Sequence, residues 1–401
     1  MSRSFVQFIP AITLGIAATL FGASLPVQAQ TFTIQSITEI PVGPPVPPNS
    51  LRNNVEALGL SNNGTAALVL QGTNSAGRHL SGPQSTNVGT LGAATRGLAV
   101  NDAGLVVGYG YPVANGPIHA FVSNGTGLTD LHTTITGLAG VATGGESYAN
   151  DINTSGQIVG RYSSETRGSE DAYVMNAGRT TLTNITAASV SAGGIRGGFN
   201  YALAINDAGQ VVGQQDFLGE AGFGRVTRGF FYSNGTVTRL GVPTGASSSD
   251  NAAAFALSEN GNWIAGEHNG IAVRWQSNGT ALSLGVLGGL TSTAFGVNSL
   301  GLVVGNSFGS AFIYQDNQIM NLNSLLPANS GWILRTATGI NDANQIVGNG
   351  LFTNSQGVTF SSAYRLNLGS TAASAAPEPG SLALIASVLG IVGLATRRRR
   401  L

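Results

Sequence analysis

Residues 204–213 read Ala204-Ile205-Asn206-Asp207-Ala208-Gly209-Gln210-Val211-Val212-Gly213. An apolar pair ends one strand. Asn and Asp then bond to local backbone, glycine takes a positive φ, and a Val-Val pair starts the partner strand. The phrase therefore reads as a tight strand-turn-strand unit. It also recurs, as Gly339-Ile340-Asn341-Asp342-Ala343-Asn344-Gln345-Ile346-Val347-Gly348 and as residues 99–108. Residues 151–160 and 296–305 are close variants, 256–266 is looser, and Gly59 to Gly64 opens a degenerate seventh copy.

The turn residue falls at Gly64, Gly104, Gly156, Gly209, Gly261, Gly301 and Asn344, at spacings of 40, 52, 53, 52, 40 and 43. That period suits one four-stranded propeller blade. Helical repeats of this length would need long stretches of 3.6 periodicity, and the chain has none. Further along each repeat an aromatic strand follows: His119-Ala120-Phe121-Val122, Gly229-Phe230-Phe231-Tyr232, Val273-Arg274-Trp275 and Ala311-Phe312-Ile313-Tyr314. Asn124-Gly125, Asn234-Gly235 and Asn278-Gly279 then predict type I′ hairpins. Alternating segments such as Val237-Thr238-Arg239-Leu240 supply a fourth strand.

These repeats resemble the HAF extracellular-repeat family over nearly all of residues 55–368. His119-Ala120-Phe121 keeps the family's three-letter phrase, and Asp171-Ala172-Tyr173, Ser310-Ala311-Phe312 and Ser362-Ala363-Tyr364 hold related residues. The resemblance implies an extracellular β-repeat domain and assigns no ligand. The expected fold is all-β, a propeller of seven four-stranded blades. Six or eight blades, or an open β-solenoid, are the alternatives. The last repeat ends at Ala363-Tyr364-Arg365-Leu366 without a fourth strand, and Phe32 to Ile40 alternates like a strand. Pairing of that N-terminal strand with the last blade would close the ring and hide both edges.

The two ends of the chain read as addresses. Arg3, the apolar run Ala11 to Leu20 and Val27-Gln28-Ala29 form a signal peptide over 1–29, cut between Ala29 and Gln30 by signal peptidase. Residues 30–54 hold the closing strand and a Pro-rich linker, and 369–376 read as a flexible Ser/Ala/Thr spacer. In 377–401, Pro377-Glu378-Pro379-Gly380 precedes an apolar segment, 382–395, and then Arg397-Arg398-Arg399-Arg400. Fourteen residues make about 21 Å of helix against a hydrocarbon core of about 30 Å. A short transmembrane anchor is expected, its arginines held on the cytoplasmic side. This tail resembles the PEP-CTERM sorting signal of Gram-negative bacteria. The resemblance implies processing by an exosortase and release or transfer of the ectodomain to the cell surface or medium.

Composition limits the chemistry. There is no cysteine, so neither disulfides nor thiol catalysis is available. There is no lysine, and between signal and tail 13 arginines face 17 acidic residues, a balance that argues against nucleic acid. Asp102, Asp207 and Asp342 recur at one repeat position, but Asn62, Thr154, Glu259 and Ser299 stand there in the other copies. Turn chemistry explains that position better than Ca²⁺ ligation, and no cofactor is expected. His79, His119, His132 and His268 lack metal-ligand spacing. Glu146, Glu220, Glu259 and Glu267 are the carboxylates that a glycoside-cleaving site would have to draw on. No Gly-x-Ser-x-Gly elbow follows a strand. Asn63, Asn124, Asn234 and Asn278 match a glycosylation sequon but fit hairpin turns. Tyr109, Tyr111, Tyr162, Phe217 and Phe223 fall in variable loops, where exposed rings would stack on sugars. The expected function is a non-catalytic surface protein that binds glycan or protein and associates with exopolysaccharide. A polysaccharide hydrolase or lyase is the alternative, and a matrix component without a discrete ligand is a third reading.

Overall fold

The computed structural model describes residues 31–40, 55–70, 75–79, 86–124, 127–141, 144–163, 169–195, 198–218, 224–247 and 251–371. The predicted signal peptide, the cleavage site at Ala29 and Gln30, the Pro-rich linker and the tail from Pro377 to Arg400 lie outside them. Among the described residues no helix is long and apolar enough to cross a membrane.

The fold is an all-β propeller. Seven four-stranded antiparallel sheets follow one another along the chain. The fourth shows the plan: Tyr201–Ile205, Val211–Leu218, Arg225–Ser233 and Thr236–Arg239 pair in sequence order. The seventh departs from it. Trp332–Ile340, Gln345–Thr353 and Thr359–Thr371 supply three strands, and the fourth is Thr31–Glu39 from the other end of the chain. Ile40 N donates to Ala363 O at 2.9 Å, and Asn367 Nδ2 to Ser36 Oγ at 2.7 Å. Phe32 to Thr371 form one unit. The last strand thus uses Gly369 to Thr371, which the sequence assigns to a spacer.

The buried apolar clusters lie between sheets rather than within them. Val159 and Ala172 of the third sheet pack with Ile205, Phe217 and Phe230 of the fourth. Ala265 and Ala272 of the fifth pack with Val303 and Phe312 of the sixth. Ile40, Val347 and Ala363 of the seventh pack on Ala57 and Ala66 of the first. A sheet with only one apolar face could not provide this. The strands have to bury both faces, which is why the Val-Val pairs run consecutively instead of alternating.

Each repeat phrase carries a structural cause beyond its turn. The turn residue is left-handed in every copy, at φ 73° in Gly209 and 58° in Asn344, as the sequence predicts. The innermost strand of every sheet also contains a β-bulge at one position, three residues before the turn Asn or Ser, as at Leu203 between Ala202 and Ala204. The bulge pushes the Tyr201 carbonyl toward the neighbouring strand. A Cβ on Gly213 would lie 1.9 Å from that oxygen. The glycine that ends each Val-Val-Gly phrase answers this approach, and the aromatic of the third strand fills the space above it: Phe230 sits opposite Gly213, and Tyr173 opposite Gly160. The Tyr173 hydroxyl also donates to the Tyr148 carbonyl at 2.9 Å.

Two local readings change. Asn234-Gly235 is a type I′ turn, with φ 50° and 80°, but Asn278 is not left-handed; its Oδ1 instead accepts Thr280 N at 2.9 Å. Short helices at His132–Ala139 and Ile185–Ala188 occupy the connections into the third and fourth sheets, which explains two of the longer repeat spacings.

Candidate functional site: the central channel

The seven turns close into a ring of hydrogen bonds around the propeller axis. Asn101 Nδ2 donates to Asn153 O, Asn153 to Asn206 O, Asn206 to Ser258 O, Asn298 to Asn341 O and Asn341 to Ser61 O, at 3.0 to 3.3 Å. Two copies have serine in this place. There, an asparagine two residues later takes over: Asn63 Nδ2 donates to Asp102 O at 2.7 Å and Asn260 Nδ2 to Ser299 O at 2.9 Å. The serine hydroxyls in turn donate to those asparagines, Ser61 Oγ to Asn63 Oδ1 and Ser258 Oγ to Asn260 Oδ1. The degenerate copies therefore perform the same chemistry with the donor moved along the turn.

The recurrent acid one residue on is an inter-sheet clasp. Asp102 Oδ1 accepts Asn63 N, Asp207 Oδ1 accepts Thr154 N and Asp342 Oδ1 accepts Ser299 N, at 2.7 to 2.9 Å. Glu259 Oε2 accepts Asp207 N at 3.1 Å. A backbone N–H satisfies a carboxylate well because the acceptor is charged. Among the described residues, no group of three or more His, Cys, Asp or Glu is placed to hold a metal ion.

Inside this ring lies a cavity of about 540 Å³, lined by the innermost strands of all seven sheets. The bulges decide its wall. Their extra residues, Leu58, Leu98, Asn150, Leu203, Phe255, Phe295 and Thr338, all line it and are all half-buried. Phe255 and Phe295 lie side by side, ring centroids 6.1 Å apart. Toward the turns the lining changes to Asp102, Asp151, Asp207, Glu259 and Asp342, and among the described residues no basic side chain lines the cavity. Removal from water pushes the Asp151 carboxyl up to about 7, against the N–H groups of Ile205 and Ile152 that it accepts. Burial likewise raises Glu259, and the neighbouring charges of Asp207 and Asp342 add to it; an Asn62 side-chain hydrogen bond works the other way.

At the opposite end of the inner strands, Arg161 lies between two rings, 3.7 Å from the centroid of Tyr148 and 4.2 Å from that of Tyr201. Its Nε donates to Glu170 at 2.9 Å. The Tyr148 hydroxyl donates to Glu146 at 2.9 Å, and Tyr109 meets Tyr148 edge-on. Burial and the Glu170 charge push the Tyr201 hydroxyl up to about 12. Tyr109 and Arg161 occupy the position after the phrase glycine, and each reaches the next sheet. Glu267, accepting from Thr293 Oγ1, and Asn349, bonded to Ala57, do the same.

The predicted candidates therefore separate. Glu259 reaches the channel, whereas Glu146 accepts the nearby Tyr148 hydroxyl and Glu267 clasps the next sheet. Tyr162 and Phe217 are core residues, 2 % and 0 % exposed, which corrects their reading as loop aromatics: the strands run on through those loops and bury them. Tyr109 is half-buried against Tyr148. Glu220, Phe223 and the side chain of His79 lie outside the described residues. His119 pairs with Asp130 at 2.7 Å and stacks on His132, which bonds Ser147 Oγ; His268 is buried. Asp151 was missed because its position, two before the turn Asn, reads as an ordinary strand residue until the bulge is known.

No family model matches the chain, and neither does any curated protein. Among solved structures, the chain is similar to virginiamycin B lyase from Staphylococcus aureus at 10 % identity and a TM-score of 0.49, covering 84 % of this chain and 99 % of that one. It is similar to YCF48 bound to D1 peptide at 11 % identity and 0.44, covering 83 % and 96 %. For TolB from Acinetobacter baumannii the figures are 12 %, 0.40, 79 % and 63 %. These likenesses concern strand arrangement and carry nothing about activity.

Proposed function

We propose that this chain is an exported, non-catalytic propeller of seven blades, sorted to the cell surface or medium by an exosortase acting at Pro377-Glu378-Pro379-Gly380, and that it binds glycan or protein in an exopolysaccharide-associated matrix. The carrying observation is how the recurrent polar residues are used. The asparagines and acids that repeat around the ring are spent on neighbouring turns, and the Arg161 cluster on strand and sheet contacts. Such expenditure suits a rigid display scaffold, with its recognition carried by loops and outer strands. The leader-like pattern of residues 1–29 and the basic tail support the address, and the absence of cysteine is compatible with any compartment.

The alternative, a polysaccharide hydrolase or lyase, is favoured by one observation. Asp151 and Glu259 both line the channel and both hold their protons more tightly than ordinary carboxyls, as a general acid must. Cell fractionation with intact mass, with and without exosortase, tests the address. A species truncated near Pro377 only when the enzyme is present supports it, and a full-length membrane-bound species in both cases refutes it. A glycan array alongside reducing-end and unsaturated-product assays separates binding from turnover; turnover lost on Asp151→Asn would replace the scaffold reading with the enzymatic one.

A further inference from the structure

The channel brings three features together in one place. Its wall carries a half-buried apolar collar of Leu58, Leu98, Leu203, Phe255 and Phe295. Its turn end is lined by carboxylates. Among the described residues, no arginine or histidine lines it to neutralise them. At about 540 Å³ it lies within the size range of small-molecule sites.

The collar is an outcome of backbone geometry. The bulge recurs in all seven innermost strands, and every residue it expels lines the channel, with Asn150, Thr338 and the Phe255–Phe295 pair also touching the neighbouring sheet. A structural filler would make this wall uniform. Instead two adjacent phenylalanines stand on the fifth and sixth sheets, and polar Asn150 and Thr338 interrupt the circle. Asn150 Nδ2 is engaged by Ala202 O, and Thr338 Oγ1 by Ala57 O. The remaining surface offered to a guest is apolar, with two ring systems. At the acidic end, Glu259 is longer than the aspartates of the other copies. Its Oε2 accepts Asp207 N of the neighbouring sheet at 3.1 Å, and it lines the cavity together with Asp207 and Asp342.

From this charge complementarity we propose that the channel binds a small organic cation with an apolar body, an arylalkyl or alkyl ammonium. The ammonium lies among Glu259, Asp207 and Asp342, and the body lies in the collar against Phe255 and Phe295. A cation would relieve the crowding of like charges at the rim, and the phenylalanine rings add cation–π attraction where the charge passes them. An anion would meet the carboxylates directly. A neutral body of the same shape would gain the collar but not the rim. This ligand class goes beyond the proposed surface recognition of glycan or protein, and neither proposal depends on the other.

The test uses the full chain and three probes of one shape: 2-phenylethylammonium, 2-phenylethanol and 3-phenylpropanoate, titrated by calorimetry and by saturation-transfer NMR. The expected result is saturable one-to-one binding of the ammonium, with both other probes weaker by roughly tenfold or more. Glu259→Gln should weaken the ammonium several-fold and leave the alcohol unchanged. Leu203→Trp, which fills the collar, should abolish binding of the ammonium. Should its melting temperature differ from that of the parent chain, Phe255→Leu carries the same test with a smaller change. Equal affinity for the three probes, no saturable binding, or ammonium binding indifferent to the collar variants overturns the proposal.

Discussion

Replacing Asn298 by alanine tests the idea that a single side chain joins two blades of the ring. Asn298 is 2 % exposed. Its Nδ2 donates to Asn341 O at 3.3 Å and to Asn344 Oδ1 at 3.0 Å, while its Oδ1 accepts Leu302 N at 3.1 Å and Leu300 N at 3.2 Å. Typical net values are about 0.5–1.5 kcal/mol per bond, and buried partners left unpaired cost about 1–3 kcal/mol each. The longer pair of contacts falls at the low end. The variant should lose about 2–4 kcal/mol, read as a lower urea midpoint at unchanged slope. Asn298→Asp separates the two halves of the effect. It keeps the acceptor for Leu302 N, removes both donors and turns a negative charge toward the Asn341 carbonyl, so it should be at least as unstable at neutral pH. Amide exchange should rise first in Val303–Ser307 and Gln345–Thr353, the strands on either side of the joint. A loss below about 1 kcal/mol in both variants would refute the argument that the ring is energetically significant.

Further expectations follow from the same geometry. Asn260→Ala should cost about 1 kcal/mol, and adding Ser258→Asn should restore most of it, because the donor then returns to its place in the other copies; no recovery would mean that the two serine copies are merely weak. Gly213→Ala puts a Cβ 1.9 Å from the Tyr201 oxygen and 2.9 Å from the Phe230 ring, so thermal unfolding should show a loss of about 3 kcal/mol or failure to fold, whereas Gly235→Ala at an open hairpin tip should cost less. Asp151 titrates near 7 when folded and about 4 when unfolded, so the stability owed to its neutral form is complete below about pH 4 and lost as pH rises through 7. Asp151→Asn should therefore flatten the fall in urea midpoint across that window, and an unchanged slope would reject the assignment. Ile40→Asp, placing a charge in the cluster with Ala57, Val347 and Ala363, should open the seam between the chain ends and lower the melting temperature more than Ser36→Ala, which removes only one hydrogen bond.

Much of the architecture was legible because it is written in short-range chemistry. Asn206-Asp207-Ala208-Gly209 announces a turn through residues that bond their own backbone, and the turn glycines all take the left-handed conformation expected of them. The loan of Thr31–Glu39 to the last sheet was legible from a missing strand at one end and a spare one at the other. The candidate site was less so. Glu259 stood out as a variant residue, but nothing in its neighbours shows that it lines the channel. Asp151 and the collar were silent, because a β-bulge adds a residue without leaving a compositional mark. Tyr162 and Phe217 misled for the related reason that their strands, Ile158–Ser163 and Val211–Leu218, continue where the repeat pattern suggests a loop.

The repeat, the turn chemistry, the strand count within a repeat and the absence of thiol chemistry were all readable from the residue order, since each depends on residues a few positions apart. What those repeats do to one another emerges once the chain is folded. The asparagine of each turn satisfies the carbonyl of the next, the phrase glycine yields to a carbonyl displaced by a bulge in the strand beside it, and seven expelled side chains meet on one axis. Those relations join atoms about fifty residues apart, and across the seam nearly three hundred. They appear only when the sheets close into a ring, because closure forces every recurrent position to face its own counterpart in the next copy.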